Sequence, residues 1–317
     1  MEESRVVRLA TRGSPLALWQ AKRVAELLER SGSESRVRCE LVVVETTADR
    51  RLDIPIHAMG GKGVFAKEVQ VAVLDGRADV AVHSAKDLPS VSPDELVLAA
   101  FPERADPRDV LVGARLGELR PGAVVGTGSV RRRAQLGAHR PDLRFAELRG
   151  NIATRLGRLR SDSGLDAIVM AAAALDRLDD LPADLLPGVV DVLDPDVALP
   201  QVGQGALAVE CRADDAATRT LVAEIDDDDI GRTVRAERAF LATLGGDCTL
   251  PAAAHAVLST GPGPVGPMVI EGMLASLDGA TVLRRRLDGD DGEALGERLA
   301  NELLDAGGDR LLEEARR

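Results

Sequence analysis

Several residue types are scarce in this chain, and each scarcity limits what it can be. Its 317 residues include no tyrosine, one tryptophan and four phenylalanines, so small aliphatic side chains must build most of the core. Three cysteines, at positions 39, 211 and 248, are too few and too scattered for a disulfide framework, which fits a reducing, cytoplasmic compartment. No run of about 18 apolar residues and no apolar signal region occurs, so we expect neither a membrane span nor a signal peptide.

Positive charge is scarce overall and unevenly distributed. The net charge is −12, and there are only four lysines, three of them between Lys62 and Lys86. Between Arg131 and Arg160, however, nine arginines accompany only two acidic residues, a local net charge of +7. An acidic chain with almost no aromatic residues is poorly suited to nucleic acid, so this segment predicts a site for a small anion.

The first 220 or so residues alternate strand-like runs with helical patterns. Strand-like runs lie at 5–10, 39–45, 78–84, 122–127, 143–148, 166–171 and 205–210 ("GALAVE"), and 39–45 has the apolar character of a buried strand. Helical periodicity occurs at 14–30 and 64–76, among other segments. Ser14 and Pro15 are helix start signals. Alternation of this kind predicts βαβ units and mainly parallel sheets.

The pattern changes after the acidic run at 226–229. A predicted helix is followed by three strand-like runs and a second helix, at 230–244, 252–258, 268–275, 281–287 and 292–306. This order of elements predicts a separate C-terminal α+β domain.

Three predicted strand-to-helix junctions carry arginine together with small polar residues. In "VVGTGSVRRRAQL" (124–136), Ser129 can cap a helix whose first turn holds Arg131 and Arg132. Cations there oppose the helix dipole by about 0.3–1 kcal/mol each, which favours an anion site over a merely solvated basic face. The junction at 147–159, where Asn151 can cap the helix, and the junction at 10–18 repeat this design. Neighbouring junctions of this kind lie along one edge of an open α/β sheet, where such sheets bind ligands.

The stretch "AVHSAKDLPS" (81–90) places polar residues at the end of a predicted strand. Lys86 and Asp87 are therefore candidates for a site, but an ordinary surface ion pair is an equally good interpretation. His83 alternates with Ala81 along the strand pattern and could be a hydrogen-bonded core histidine.

Other motifs are weak when taken alone. "MGGKGVF" (59–65) lacks the phosphate-loop pattern and is interpreted as a lid that offers Lys62. No CxxC, HExxH or His/Cys cluster occurs, so no metal site is expected. Cys248 follows the C-terminus of a predicted helix and adjoins Asp247, and both features disfavour a standing thiolate nucleophile.

Taken together, these stretches resemble the porphobilinogen deaminase family. The resemblance covers about residues 5–255 and rests on "RLATRGSPLALWQA", "GGKGVFAKE", "ADVAVHSAKDLP", "ERADPRDVL", "VGTGSVRRRAQL", "LPQVGQGALAVECR" and "AERAFLATLGGDCTLP", in that order. It implies an α/β protein with two periplasmic-binding-protein-like βαβ domains, 1–103 with 203–222 and 104–202, and a C-terminal α+β domain, 226–317. The family's active cleft lies between the first two domains.

The resemblance also implies an activity. Members of the family are transferases (hydroxymethylbilane synthases) of tetrapyrrole biosynthesis. They add four porphobilinogen molecules head to tail to a dipyrromethane cofactor, release ammonia at each addition, and free hydroxymethylbilane by hydrolysis. We therefore expect a cytoplasmic monomer with porphobilinogen as substrate and with no metal, nucleic acid or membrane as partner.

The family's functional positions map onto this sequence. By resemblance, Asp87 is the catalytic carboxylate, and Cys248 holds the cofactor through a thioether. Positions that hold carboxylates of cofactor or substrate correspond to Arg12, Ser14, Lys62, Ser84, Lys86, Thr127, Ser129, Arg131, Arg132, Arg149, Arg155, Arg177 and Gln204.

The sequence departs from the family pattern in three places. Asp247 replaces a small residue before Cys248, "TTAD" (46–49) lacks an arginine, and Gly128 replaces a serine. An alternative interpretation is a two-lobed anion-binding module without turnover, which would need the arginines but neither Asp87 nor Cys248.

Overall fold

A computed structural model describes most of the chain, namely residues 5–31, 37–46, 66–161, 163–177, 185, 188–246, 250–259 and 267–316. The chain divides into two compact units, one formed by residues 1–104 and 206–232 and the other by 105–205 and 233–317. Each unit has a five-stranded sheet, and the second also has a three-stranded one. The predicted fold class, α/β with a C-terminal α+β part, is confirmed. The division into three domains stays a prediction.

Thirteen strands and nine helices occur among the described residues. The strands are β1 (Arg5–Arg12), β2 (Val37–Val44), β3 (Val80–Ser84), β4 (Leu96–Ala100), β5 (Asp109–Val112), β6 (Val124–Gly126), β7 (Arg144–Ala146), β8 (Ala167–Ala171), β9 (Val190–Val192), β10 (Leu207–Arg212), β11 (Ala252–Leu258), β12 (Met268–Ala275) and β13 (Val282–Gly289). The helices are α1 (Pro15–Ser31), α2 (Lys67–Leu74), α3 (Val130–His139), α4 (Ile152–Arg160), α5 (Ala172–Asp176), α6 (Ala216–Ala223), α7 (Asp228–Thr243), α8 (Gly292–Leu303) and α9 (Asp309–Ala315).

The first unit is built on a sheet with strand order β2–β1–β3–β10–β4. Strand β1 pairs in parallel with β2 and β3, whereas β10 is antiparallel to β3 and β4. Helix α1 begins as predicted, with Pro15 at its first position and the Ser14 hydroxyl accepting from the backbone N–H of Ala17 at 3.3 Å. Apolar side chains such as Leu9, Val24 and Val209 form the core against this helix.

The sheet of the second unit has the order β7–β6–β8–β5–β9. Strand β6 is parallel to β7 and β8, and β5 is antiparallel to β8 and β9. Helices α3 and α4 begin at side-chain caps, because Ser129 accepts from the N–H of Arg132 and Asn151 accepts from that of Thr154. Both caps lie at the predicted positions.

The C-terminal part of the second unit is an antiparallel sheet, β11–β12–β13, covered by helices. Phe240 of α7, Ile270 of β12 and Leu299 of α8 are fully buried in one apolar cluster. Gly296 lets α8 approach α7 closely, since a Cβ atom there would overlap the carbonyl oxygen of Ala236. The predicted helix–three-strand–helix order is confirmed, although the last helix ends in a π turn (Leu304–Gly308) that α9 follows.

The sheets are less parallel than predicted. Strands β4, β5 and β9 were not expected, and half of the pairings in the two five-stranded sheets are antiparallel. An apolar run predicts that a strand is buried but does not predict its direction, so the orientation of β10 could not be predicted from "GALAVE".

Of the helices within the described residues, none combines the length and apolar character needed to cross a bilayer.

Candidate active-site residues

The parallel strands of the first unit bring five predicted site residues to one edge of its sheet. Arg12 ends β1 and Ser84 ends β3, and these two strands are neighbours. Ser14 caps the helix after β1, and Lys86 and Asp87 lie in the 3₁₀ turn directly after β3. All five side chains are half-buried, which suits groups that meet a ligand at a sheet edge.

The turn that carries Asp87 is held to a neighbouring segment. The N–H of Ala85 donates to the carbonyl oxygen of Ala206 at 3.0 Å, and the N–H of Leu88 closes the turn on the carbonyl oxygen of Ala85 at 3.4 Å. Because Ala206 directly precedes β10, the turn is tied to the strand that pairs with β3. Asp87 is therefore placed by the sheet rather than by a long loop.

A buried carboxylate lies in the strand beside β3. Glu210 of β10 is fully buried, and its oxygens accept from the Ser92 hydroxyl at 2.7 Å and the Gln70 amide at 2.9 Å. The Nε2 atom of His83 lies 3.1 Å from Glu210 Oε2. Burial by itself would raise the pKa of Glu210, but its contact with His83 and the bonds from Ser92 and Gln70 outweigh burial and lower that pKa. His83 is thus a buried core residue in contact with Glu210.

We expect Glu210→Gln to lower the free energy of unfolding by about 1–3 kcal/mol at pH 7, because the buried charge is lost and one of its two accepting oxygens becomes an amide donor. The lowered pKa means that Glu210 stabilises the fold above the pKa of the unfolded carboxyl and loses this effect as the pH falls through the folded pKa. Urea unfolding of both proteins at pH 7 and near pH 3 would show a difference that shrinks on acidification. A difference independent of pH would mean that Glu210 is not ionised in the fold.

In the second unit, four more of the predicted site residues lie at the sheet edge where its parallel strands end. Thr127 and Ser129 follow β6, Arg149 follows β7, and Arg155 lies in the first turns of α4. Strands β6, β7 and β8 are parallel, so their carboxyl ends meet at this edge, and two helix N-termini open there. Free N–H groups and guanidinium groups together favour anions. This confirms the predicted placement of the two junctions, whereas the ligands they hold stay a prediction.

Arg131 and Arg132 are more deeply buried than a simple anion receptor requires. Their side chains run inward from α3 to Asp109, the first residue of β5. The Nη2 atoms of both lie 2.7 Å from the Asp109 carboxylate, and Gln204 Nε2 donates to the same group at 2.8 Å. Burial alone would raise the pKa of Asp109, but the charges of the two arginines, with bonds from Arg132 and Gln204, hold it well below its usual range.

Two further arginines contact backbone carbonyl groups. Arg155 Nε donates to the carbonyl oxygen of Gly150 at 2.8 Å, and Arg177 Nη2, almost fully buried, donates to that of Gly205 at 2.6 Å. Gly205 has a φ of +87°, and a Cβ atom there would overlap the carbonyl oxygen of Ala105. A glycine beside Gln204 is therefore a steric requirement of this loop.

One departure from the family pattern has a steric consequence. A Cβ atom on Gly128 would lie 2.9 Å from Glu147 Oε1 and 3.0 Å from the carbonyl oxygen of Leu148. A serine at this position would need the segment after β7 to shift. The backbone after β7 therefore leaves little room for a side chain at position 128.

Two predicted residues, Lys62 and Cys248, lie outside the described residues, as does Asp247. Sequence reasoning missed Asp109 and Glu210, although each is an acid within an apolar strand, and such residues need a buried partner. That signal could have identified both residues.

The described parts of the chain contain no cluster of three or more His, Cys, Asp or Glu side chains suited to a metal ion.

Two family models and several known proteins match this chain. The family model "Porphobilinogen deaminase, dipyromethane cofactor binding domain" matches residues 7–220, and "Porphobilinogen deaminase, C-terminal domain" matches residues 232–305. The porphobilinogen deaminase of Syntrophotalea carbinolica is 43% identical over 314 residues, covering 98% of this chain and 96% of the relative. That of Nitratidesulfovibrio vulgaris is 45% identical over 315 residues, with 96% of each chain covered.

Similarity to solved structures is weaker. The periplasmic aliphatic sulphonate binding protein SsuA from Escherichia coli aligns with 96% of this chain and 88% of its own, at 13% identity and a TM-score of 0.40. These values are too low to support a fold assignment.

Proposed function

Because this chain belongs to the porphobilinogen deaminase family, we propose that Asp87 is its catalytic carboxylate and that Cys248 attaches its cofactor. The enzyme is a transferase of tetrapyrrole biosynthesis that condenses porphobilinogen head to tail on a dipyrromethane primer and releases hydroxymethylbilane. The match of both family models along the chain is the observation that supports this function.

Asp87 suits proton chemistry at a pyrrole nitrogen. When porphobilinogen loses ammonia, positive charge develops on its ring and reaches the N–H group. A fixed carboxylate beside that N–H stabilises the charge and can accept or return a proton. Asp87 is half-buried in a turn tied to the sheet, so its carboxylate would be held in place while a ligand reaches it. Its neighbour Lys86 can bind a substrate carboxylate.

The arginine and hydroxyl residues suit the acetate and propionate groups of the pyrrole rings. Guanidinium groups bind carboxylates in a planar, directional way, and helix N-termini add N–H donors. In the second unit we assign this role to Thr127, Ser129, Arg131, Arg132, Arg149, Arg155, Arg177 and Gln204, and in the first to Arg12, Ser14, Ser84 and Lys86. Lys62 completes the proposed set.

The donor set fits a cofactor that carries several carboxylates. Among the described residues, Arg131 Nε is buried without a hydrogen-bond partner, and two helix N-termini lie at the same sheet edge. When bound, the dipyrromethane supplies the ring to which substrate is added. The chain's own contribution is to orient carboxylates, through the arginines, and to hold or move a proton at Asp87.

The direct test is the stoichiometry of the reaction. Purified protein incubated with porphobilinogen should release four ammonia molecules for each hydroxymethylbilane formed. An anion-binding module of the same fold would bind porphobilinogen, measured by calorimetry, yet release no ammonia. Binding without ammonia release would refute the proposed function.

We further propose that the enzyme acts as a monomer in the cytoplasm. Cys39 and Cys211 are free thiols, which fits a reducing compartment, and the net charge of −12 disfavours nucleic acid and anionic membranes as partners. Light scattering after size-exclusion chromatography at working concentrations should give the mass of one chain. A dimer mass would overturn the monomer assignment.

A further inference from the structure

Asp109 is a buried carboxylate to which the proposed function assigns no role. It is fully buried at the start of β5 and receives four contacts: Nη2 of Arg131, Nη2 and Nε of Arg132, and Nε2 of Gln204, at 2.7, 2.7, 3.1 and 2.8 Å. The Oδ1 atom of Asp109 accepts from Arg132 and Gln204, and its Oδ2 atom accepts from Arg131. Asp109 is therefore the one group that bonds to all three of these residues assigned to ligand binding.

Each of the two guanidinium groups also donates to a backbone carbonyl group on the side away from Asp109. Arg131 Nη1 donates to the carbonyl oxygen of Leu199 at 2.6 Å, and Arg132 Nη1 donates to that of Val169 at 3.2 Å. Each guanidinium is thus bonded on one side to backbone and on the other to Asp109. With both sides bonded, the plane of each group is fixed, and so are the directions of its remaining N–H bonds.

Asp109 also offsets part of the positive charge of the two arginines. Two guanidinium groups and one carboxylate leave a net charge of +1 at the N-terminus of α3, where the helix dipole already repels cations. Without Asp109, two buried cations would repel each other at the positive end of a helix. With it, the cluster retains one excess positive charge, which matches one ligand carboxylate.

Gln204 connects this cluster to the C-terminal α+β part. The N–H of the preceding residue, Gly203, donates to Glu237 Oε2 at 2.7 Å. The other oxygen of Glu237, a fully buried residue of α7, accepts from the N–H of Ala256 at 2.9 Å. The loop that places Gln204 on Asp109 is therefore anchored to α7 and β11.

We propose that Asp109 is a positioning residue of the condensation reaction, which orients Arg131 and Arg132 toward a carboxylate of the cofactor or substrate and sets the charge of their cluster to +1. This inference rests on the proposed function. Asp109 is fully buried and acts through the two arginines.

The test is Asp109→Asn, which keeps the shape of the side chain and removes its charge. We expect the variant to fold with a lower melting temperature. The fraction of purified chains carrying the extra mass of two linked pyrroles should fall. In loaded chains, KM for porphobilinogen should rise at least about tenfold, as for one lost charge-assisted bond, with a smaller change in kcat. Full loading together with a native KM in a folded variant would overturn the proposal.

Asp166→Asn is the matched control. Asp166 also pairs with an arginine, Arg120, at 3.2 Å, and accepts from the N–H of Val124 at 2.7 Å in the same sheet. Its loss should lower the melting temperature but leave cofactor loading and KM at native values. A raised KM in this control would show that general loosening of the sheet explains the effect, and would overturn the proposal.

A second variant covers the case in which Asp109→Asn does not fold. Asp109→Glu keeps the charge but displaces the carboxylate by one methylene, so the arginines stay paired in a shifted orientation. Its KM should also rise, and a native KM would overturn the orienting role.

The native protein in the same assay distinguishes a failure of the proposed function from a failure of the role proposed for Asp109. If the native chain releases no ammonia, the proposed function fails. If it turns over while Asp109→Asn keeps a native KM and full loading, only this inference fails.

Discussion

Asp87→Asn should leave a folded, cofactor-loaded protein whose kcat is lower by about 10²–10⁴-fold, the range typical of a lost general acid–base group. The substitution keeps size and shape, so the 3₁₀ turn and its bond from Ala85 to Ala206 should persist. What is lost is the negative charge that stabilises a cationic ring and the site that accepts its proton. Single-turnover and steady-state ammonia release would measure the effect, with intact mass and circular dichroism to confirm loading and fold.

Asp75→Asn is a suitable control in the same unit. Asp75 is an exposed residue at the end of α2 and pairs with Arg77, so its replacement makes the same change in net charge away from the sheet edge. Its kcat should equal that of the native protein. A near-native rate in Asp87→Asn would refute the catalytic assignment.

Cys248→Ala should abolish both the covalent cofactor and turnover. The native protein is expected to have an intact mass above that of its polypeptide by two linked pyrrole units, and the variant should show the polypeptide mass alone. Active native protein with an unmodified Cys248 would disprove the attachment.

The other two thiols are poor substitutes for Cys248. Burial, together with the charge of Glu29, raises the pKa of Cys39 to about 12, and burial, with Asp215, raises that of Cys211 to about 11. A thiol reacts as its thiolate, so both are nearly inert near neutral pH. Cys39→Ala should therefore keep the extra mass and native turnover. Loss of the cofactor in Cys39→Ala would mean that the tether had been assigned to the wrong cysteine.

Local signals predicted much of the fold because they act over a few residues. Ser14, Ser129 and Asn151 each cap a helix where the sequence indicated, since capping depends only on a side chain and the N–H groups two or three residues later. The C-terminal order of helix, three strands and helix followed from periodicity alone. Both predicted arginine junctions in the second unit open at one sheet edge, as the parallel pairing of β6 with β7 requires.

Other features depended on contacts between distant residues. The direction of β10 is set by its pairing with β3 and β4, segments more than 100 residues away. From the sequence, Arg131 and Arg132 were predicted to form an anion site at the start of a helix, with a solvated basic face as the alternative. The structure buries them on Asp109, and in the chain more than 20 residues separate each arginine from this partner.

Neighbouring residues specify which chemistry is present: arginines at helix starts, Asp87 after an apolar strand, one cysteine after a predicted helix, and motifs that place the chain in its family. These are properties of neighbouring residues, and short-range geometry preserves them. How the charges are balanced depends instead on the three-dimensional fold. A buried ion must find its partner through the fold, and the fold alone brought Asp109 and Gln204 to the two arginines.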